Sequence, residues 1–233
     1  MSSKLVLSAS ARVSEAIRTR RSVREFEEKP VSEADLREII DCARYSASGG
    51  NLQPWHLHVL TGTALDELLG RVAEKSKTTP FGDGPEYSIY PADLSEPYHA
   101  RRGKVAVGMY ELLGIARDDA AGRGAQMAKN FRFFGAPVGM ILTIDKQMGS
   151  PQFCDLGIFL GNLMLLAREK GLHTCAQEAW SLWGGTIREV LGLPESELVF
   201  CGLALGYARA DSVINQLCTE RASVEEVARF SGF

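Results

Sequence analysis

The chain lacks a Cys-x-x-Cys pair, a Gly-x-Gly-x-x-Gly fingerprint and an uninterrupted apolar run long enough to cross a bilayer. Each absence removes a class of protein. The five cysteines (Cys42, Cys154, Cys175, Cys201 and Cys218) are odd in number and widely spaced, which predicts neither a disulfide framework nor a zinc knuckle. Free thiols in a reducing compartment are expected instead. Without the glycine fingerprint, no resident dinucleotide fold is expected. The longest apolar stretch, Leu156 to Ala167, is interrupted by Asn162 and is shorter than the ~20 residues a membrane span needs. Leu5-Val6-Leu7 is too short for a signal peptide, so the expected location is the cytoplasm. Positive charge is also not in excess: Lys+Arg number 26 against 29 Asp+Glu, a formal net charge of −3. That balance argues against a nucleic-acid or anionic-membrane partner, and a local basic cluster then reads as a site for one small anion.

What is present is ordinary globular material, 45% hydrophobic and 24% charged over 233 residues, with no repeat, low-complexity tract or linker. A single domain over residues 1–233 is expected. Val13 to Thr19 reads as a short helix. Ser32 with Asp35 three residues on is an acidic variant of the capping box, opening a helix with Leu36, Ile39, Ile40 and Ala43 on one face. That helix is expected to run to the Ser48-Gly49-Gly50 turn. Trp55 to Leu60 alternates as a strand, and Ala64 to Lys75 is a helix. Residues 76–100 are turn-rich and interspersed with Phe81, Tyr87, Tyr90 and Tyr98, so residues 76–130 are expected to form a lid over a pocket. Arg101 to Ala116 and a short helix before Asn130 follow. Pro137 to Ile144 is a buried strand, and Phe153 to Lys170 a helix apolar on nearly every side, buried within the domain or between subunits. A short strand His173 to Gln177, a helix Leu182 to Leu191 and a last strand Leu198 to Tyr207 complete an α+β fold with a helix-flanked sheet.

Two stretches carry chemistry. Arg20-Arg21-Ser22-Val23-Arg24 places three guanidinium groups and a hydroxyl within five residues. Arginine's planar fork suits phosphate because it donates parallel charge-assisted hydrogen bonds and stays charged. Alone, this run reads more readily as a solvated basic face or an arm on nucleic acid than as a phosphate site. Ser48-Gly49-Gly50-Asn51, continuing into Leu52-Gln53-Pro54-Trp55, offers backbone amides freed by glycine and two carboxamides, which match the donor and acceptor edge of an isoalloxazine. Alone, it reads as a helix C-cap. Together the stretches point to a planar, phosphorylated heteroaromatic, with flavin mononucleotide (FMN) the first candidate.

With Gly171-Leu172-His173-Thr174-Cys175-Ala176-Gln177-Glu178-Ala179 and Leu205-Gly206-Tyr207, in this order and spacing, the chain resembles the nitroreductase-type FMN oxidoreductases. The resemblance implies a central, mainly antiparallel sheet flanked by helices, in an intertwined homodimer with two FMN sites at the subunit interface. It implies that Arg20, Arg21 and Ser22 hold the phosphate and ribityl end, beside Val23, and that Arg24 approaches flavin N1, where reduction concentrates negative charge. Ser48, Gly49 and Asn51 would join the pocket formed with the partner. Gln177, Glu178 and Ala179 would pass the N5 edge, and Arg221 would reach the phosphate. Many relatives carry proline where Ala179 stands here.

The resemblance further implies hydride transfer from NADH or NADPH to a nitroaromatic, quinone or similar electron-poor acceptor. With no dinucleotide fingerprint, the nicotinamide donor would visit and leave, giving ping-pong kinetics. Gly50, Tyr98 and Trp180 are candidate substrate contacts, with Phe81 and Trp183 as further aromatics. Iodotyrosine-type dehalogenases and the flavin-cleaving enzyme of benzimidazole synthesis look similar through the same motifs, with Glu96, Arg101 and Arg102 available as a zwitterion clamp. A non-catalytic flavin carrier or sensor is the alternative from another class. His56 and His58 share a strand face without a third ligand, so no metal site is expected.

Overall fold

The structure, a computed structural model, describes residues 5–233; the first four residues of the amino-terminal stretch lie outside it. In chain order the elements are α1 (Val13–Thr19), α2 (Glu33–Ala43), β1 (His56–Leu60), α3 (Gly62–Lys75), α4 (Tyr98–Leu113), α5 (Ala120–Ala128), β2 (Val138–Asp145), α6 (Ser150–Glu169), β3 (His173–Gln177), α7 (Gly184–Leu191), β4 (Glu197–Gly206) and α8 (Val224–Val227). The strands form one sheet in the order β1-β2-β4-β3, with every neighbouring pair antiparallel. The expected fold class holds.

The sheet is covered on both faces, and strand alternation decides what goes where. Met140, Leu142 and Ile144 of β2 meet Leu36 and Ile39 of α2 and Leu156, Phe159 and Leu163 of α6. Ile141, between them in sequence, points the other way, into a cluster with Leu65 and Leu68 of α3, Trp180, Trp183 and Ile187. That two-sided covering is why β2 reads as a continuous apolar run.

Helix ends follow their local chemistry. Ser32 Oγ accepts the Asp35 N–H at 3.1 Å and caps α2. At its other end α2 stops at Ala43, with Arg44 still right-handed. Ser46 Oγ then donates to the Ala43 carbonyl at 2.7 Å, so the chain has already turned before Gly49. The Gly49-Gly50 pair is therefore not the C-cap of α2; it opens a separate turn of 3₁₀ helix, Gly49–Asn51. Likewise α7 starts at Gly184, because Glu178–Trp183 forms its own 3₁₀ segment.

The α6 helix is 20 residues, long and apolar enough by composition to cross a membrane. Here it lies against the sheet, with Asp155 and Arg168 among its buried residues. It is not buried all round: Cys154, Gly157 and Ile158 lie open on its outer face. At its carboxyl end the Arg168 guanidinium donates to the carbonyls of Leu172, Val6 and Ser8. It thereby ties the amino-terminal segment to the helix terminus whose dipole it complements.

His173 is buried beside Arg168, and its pKa is lowered to about 4, first by desolvation and then by that positive charge. The unfolded chain protonates His173 near 6.5 and the folded chain only near 4. Stability is therefore full above about pH 6.5 and declines as pH falls from there towards 4. The expected loss is on the order of 3 kcal/mol. Urea midpoints at pH 4.5 and pH 7 should differ less for His173→Gln than for the natural chain; an equal difference would place the pH dependence elsewhere.

The segment before α4 is more firmly held than a free lid. Asp83 Oδ2 accepts the Thr186 N–H at 2.6 Å, Glu86 pairs with Arg188 at 2.5 Å, and Tyr87 OH donates to the Phe200 carbonyl at 2.5 Å. Gly82, at φ +83, sits so close that a Cβ would lie 2.4 Å from the Leu182 carbonyl oxygen. Residues 82–87 are a strap laid over the start of α7. Beyond it the chain runs through exposed Tyr90 and Tyr98 into α4.

Candidate functional site

The arginine run lies along the outer edge of β3. Ser22 makes a parallel bridge to Thr174, and the Val23 N–H donates to the Thr174 carbonyl at 3.0 Å. In this extended segment, alternation sends Val23 inward, where it is fully buried, and places Arg20, Ser22 and Arg24 on one side. Val23 thus contributes backbone and core packing, not a ligand-facing side chain. Arg21 donates to the Gln216 carbonyl at 3.4 Å, tying the carboxyl-terminal segment to the same edge. Cys175 is buried beneath the cluster. Desolvation raises its thiol, and Arg24, Arg20 and Ser22 partly reverse that.

Arg221 is brought to Arg20 from the far end of the chain. The Arg20 guanidinium is lowered from its ordinary pKa, mainly by burial and then by the positive charge of Arg221. Arg221 donates to Thr219 Oγ1 at 2.6 Å and to the Glu220 carbonyl at 2.8 Å. Among the described residues, no carboxylate pairs with Arg20, Arg24 or Arg221. A partly buried guanidinium, Arg20, with a second positive charge from exposed Arg221 beside it and no counter-charge on either, suits an anion.

Two amides that nothing in the sequence pattern singled out complete this edge. Asn215 is buried; its Oδ1 accepts the Arg24 N–H at 2.9 Å, and its Nδ2 donates to the Glu25 and Arg209 carbonyls at 2.7 and 3.1 Å. Asn130 accepts at its carbonyl from Gln177 Nε2 at 2.7 Å. Asn130 also lines a small cavity of about 40 Å³ with Arg24, Gln126, Met109, Tyr110, Met127 and Phe134. The Gln177 side chain is therefore an internal tie, with its Oε1 buried and unpartnered. Glu178 follows at the surface, its carboxyl raised by desolvation, and Ala179 is half-buried.

The second sequence stretch does not join this cluster within one chain. The 48–53 turn feeds β1 at one edge of the sheet, while Ser22 sits outside β3 at the other. Four strand-to-strand steps separate those lines, about 19 Å at ~4.8 Å each. Register adds to the separation: Thr174 is level with Leu205 and Val138, at the end of the sheet where β1 finishes rather than where the turn enters it. The turn itself is exposed and wound tightly. Gly50, Asn51 and Gln53 have φ of 57, 57 and 50, and Ser48 Oγ accepts the Gln53 N–H at 3.0 Å.

Among the described residues, the four non-glycine positions with positive φ are Asn51, Gln53, Phe133 and Phe134. Two lie in this turn and two beside the Asn130 cavity. Each left-handed side-chain-bearing residue costs about 1–3 kcal/mol, so the strain is concentrated at the two candidate parts of the site.

The candidate substrate contacts fare differently. Trp180 is 0% exposed, stacked on Phe133 at 4.4 Å between centroids and edge-on to Phe131 at 5.8 Å. It is a core residue that cannot stack on a substrate; Trp183 is equally buried. Aromatic character alone could not distinguish these roles, because the 3₁₀ turn of Glu178–Trp183 decides the direction. Gly50 is exposed in the turn. Tyr98 is exposed at the start of α4, twelve residues before Tyr110 and so roughly 18 Å along the helix from the Arg24 cavity. His56 and His58 gain no further ligand: His58 faces Thr143 and Glu197, and no metal-ligating group of three exists among the described residues.

The fold is an antiparallel sheet covered by helices on both faces, with an arginine cluster without paired carboxylates along one edge. The description matching the chain is "Nitroreductase family", over residues 17–207, and the chain belongs to that family. It is 37% identical to a chloronitrobenzene nitroreductase of Comamonas testosteroni over 218 residues, covering 94% of this chain and 96% of that protein. It is 39% identical to a 4-nitrobenzoate reductase of Pseudomonas putida, covering 93% and 94%. Among solved structures, an FMN and NADPH-dependent nitroreductase, NfnB, from Sphigopyxis sp. strain HMH superposes with a TM-score of 0.92 at 43% identity, covering 95% of this chain and 100% of that one.

Proposed function

We propose that this protein is an FMN-dependent oxidoreductase, a nitroreductase that takes hydride from NADH or NADPH and reduces nitroaromatic, quinone or similar electron-poor acceptors. The observation that carries the reading is Arg20, partly buried on the sheet edge with the positive charge of Arg221 beside it and no carboxylate paired with either. Its charge suits a phosphate monoester, so the residues present fit FMN. Bound there, FMN supplies the two-electron chemistry that links a nicotinamide donor to an acceptor.

The chain's own residues have three tasks. Arg20, Arg221 and Ser22, with Arg21 beside them, would hold the phosphate and ribityl end. Arg24, fixed through its N–H by Asn215, would place a permanent positive charge where negative charge develops. Gln177, Glu178 and Ala179 would border the reactive edge, and the Gln177–Asn130 tie keeps that border in place. Positioning and electrostatics suffice, without a nucleophile.

The opposite-corner placement of the 48–53 turn supports an intertwined homodimer, in which Ser48, Gly49 and Asn51 of one copy complete the partner's site and Gly50 lies near its substrate. The open α6 face, with Gly157 and Ile158, supports the same reading. We read residues 1–233 as one domain with 76–130 as the substrate-side region. The expected location is the cytoplasm, where the free cysteines stay reduced and nicotinamide donors are available.

The dehalogenase reading is less well supported by its clamp. Arg101 donates to Glu226 at 3.1 Å, Arg102 sits over the Tyr90 ring at 4.1 Å, and Glu96 accepts the Ala100 N–H at 3.3 Å.

Absorption spectroscopy tests the proposal. Purified protein is expected to be yellow, to bleach anaerobically with a nicotinamide donor, and to recolour over many cycles with a nitroarene. Initial-velocity lines are expected to be parallel. Colourless protein that takes up no FMN overturns the reading, and failure to recolour would make it a carrier. Faster turnover of a halotyrosine would move it to the dehalogenases.

A further inference from the structure

Asp155 lies on α6, outside every motif in which chemistry was sought, yet it is 6% exposed and reaches the 48–53 turn. Its Oδ1 accepts the Gly49 N–H at 3.1 Å, while its Oδ2 is buried without a partner. Seven residues on, and so on the same face of the helix, Asn162 Nδ2 donates to Ser46 Oγ at 2.8 Å. One helix face thus pins the chain at Ser46 and again at Gly49, immediately before the positive-φ residues.

A half-satisfied buried carboxylate is a poor choice for stability, since an apolar residue of similar size does as well or better. What it supplies is geometry. With the Gly49 amide fixed, the Asn51 and Leu52 N–H groups close back on the Ser48 and Gly49 carbonyls at 3.0 and 3.1 Å. The free edge of the turn then presents in one shape.

We propose that Asp155 is a positioning residue for the cofactor and acceptor site. Through Gly49 it sets the turn that one copy lends to the other. The inference rests on the function proposed above, and on the dimer in particular. It also explains the placement of α6: the helix that covers the sheet carries the side chains that shape the turn.

The test compares Asp155→Leu and Asp155→Asn in the whole protein. Asparagine can still accept the Gly49 N–H, whereas leucine cannot. The leucine variant is expected to keep its melting temperature and to bind FMN about tenfold more weakly, as loss of a supporting residue typically does. At saturating FMN its KM for a nitroarene should rise and its flavin absorption envelope should shift, while the asparagine variant stays close to the natural protein in both.

A leucine variant that matches the natural protein in FMN affinity, KM and spectrum overturns the inference. So does an asparagine variant that is as impaired as leucine while both remain folded. If leucine fails to fold, the asparagine variant decides: unchanged FMN affinity and spectrum support the positioning role, and their loss removes it. Natural protein that binds no FMN would be a failure of the proposed function instead, and that measurement is made first.

Discussion

Replacing Trp180 with alanine is expected to destabilise the protein by about 3–5 kcal/mol, the range for emptying a buried large aromatic position. At this chain length the melting temperature should fall by roughly 10 °C. Trp180 fills the space between Phe133 and the β4 backbone. At Gly202 a Cβ would lie 2.1 Å from Trp180 Cδ1, so the glycine exists to admit the indole. The indole N–H has no partner, and the loss is therefore one of packing and ring contact, not of a hydrogen bond. Trp180→Phe, which keeps a ring against Phe133, should recover a substantial part of it. Calorimetry on the three proteins gives the stability, and steady-state kinetics on FMN-saturated protein separates it from any substrate contact. An unchanged melting temperature with a raised KM for a nitroarene would return Trp180 to the substrate site.

Trp180 also marks how far the sequence could be read. Elements with strong local signals are where their residues place them: α1 ends at Thr19, Ser32 caps α2, and the β2 run is buried on both faces. The arginine run could be read as an anion site only together with the other motifs, and Arg221 only through the family resemblance, because a guanidinium group serves equally in structural ties such as that of Arg168. Their convergence was not legible, since it depends on the carboxyl-terminal segment returning past Asn215 and Gln216 to β3.

Polar residues that act through one bond leave no periodic trace. Asn130, Asn215 and Asp155 look like surface residues until the fold brings Gln177, Arg24 and Gly49 to them. Direction within 3₁₀ turns is equally hidden. Trp180 and Glu178 stand two residues apart, one in the core and one at the surface, and no strand or helix period separates them. The separation of the arginine run from the 48–53 turn is the largest such case. Only one helix, α2, lies between them in sequence, yet strand order places them on opposite edges of the sheet.

That separation gives the Arg20 prediction its force. Arg20→Ala should weaken FMN binding by about 2–4 kcal/mol, the worth of one or two charge-assisted hydrogen bonds to a phosphate. This corresponds to roughly 30- to 1,000-fold in Kd. The loss should show as colourless purified protein that regains colour and activity only at high FMN. Arg20→Lys, which keeps the charge but not the fork, should fall between the two. A variant that purifies fully loaded would place the phosphate elsewhere. A second variant, Gly50→Val, puts a β-branched residue at φ +57 and should disable the turn. If each site takes its arginines from one copy and its turn from the other, a dimer of one Arg20→Ala chain and one Gly50→Val chain has one site with both defects and one with neither. Unfolding and reassembling the two variants together, at an FMN concentration too low to load Arg20→Ala, should therefore restore activity, up to about half that of the natural dimer in each mixed pair. If both parts served the same chain's site, every site in the mixed dimer would carry one defect and no activity would return.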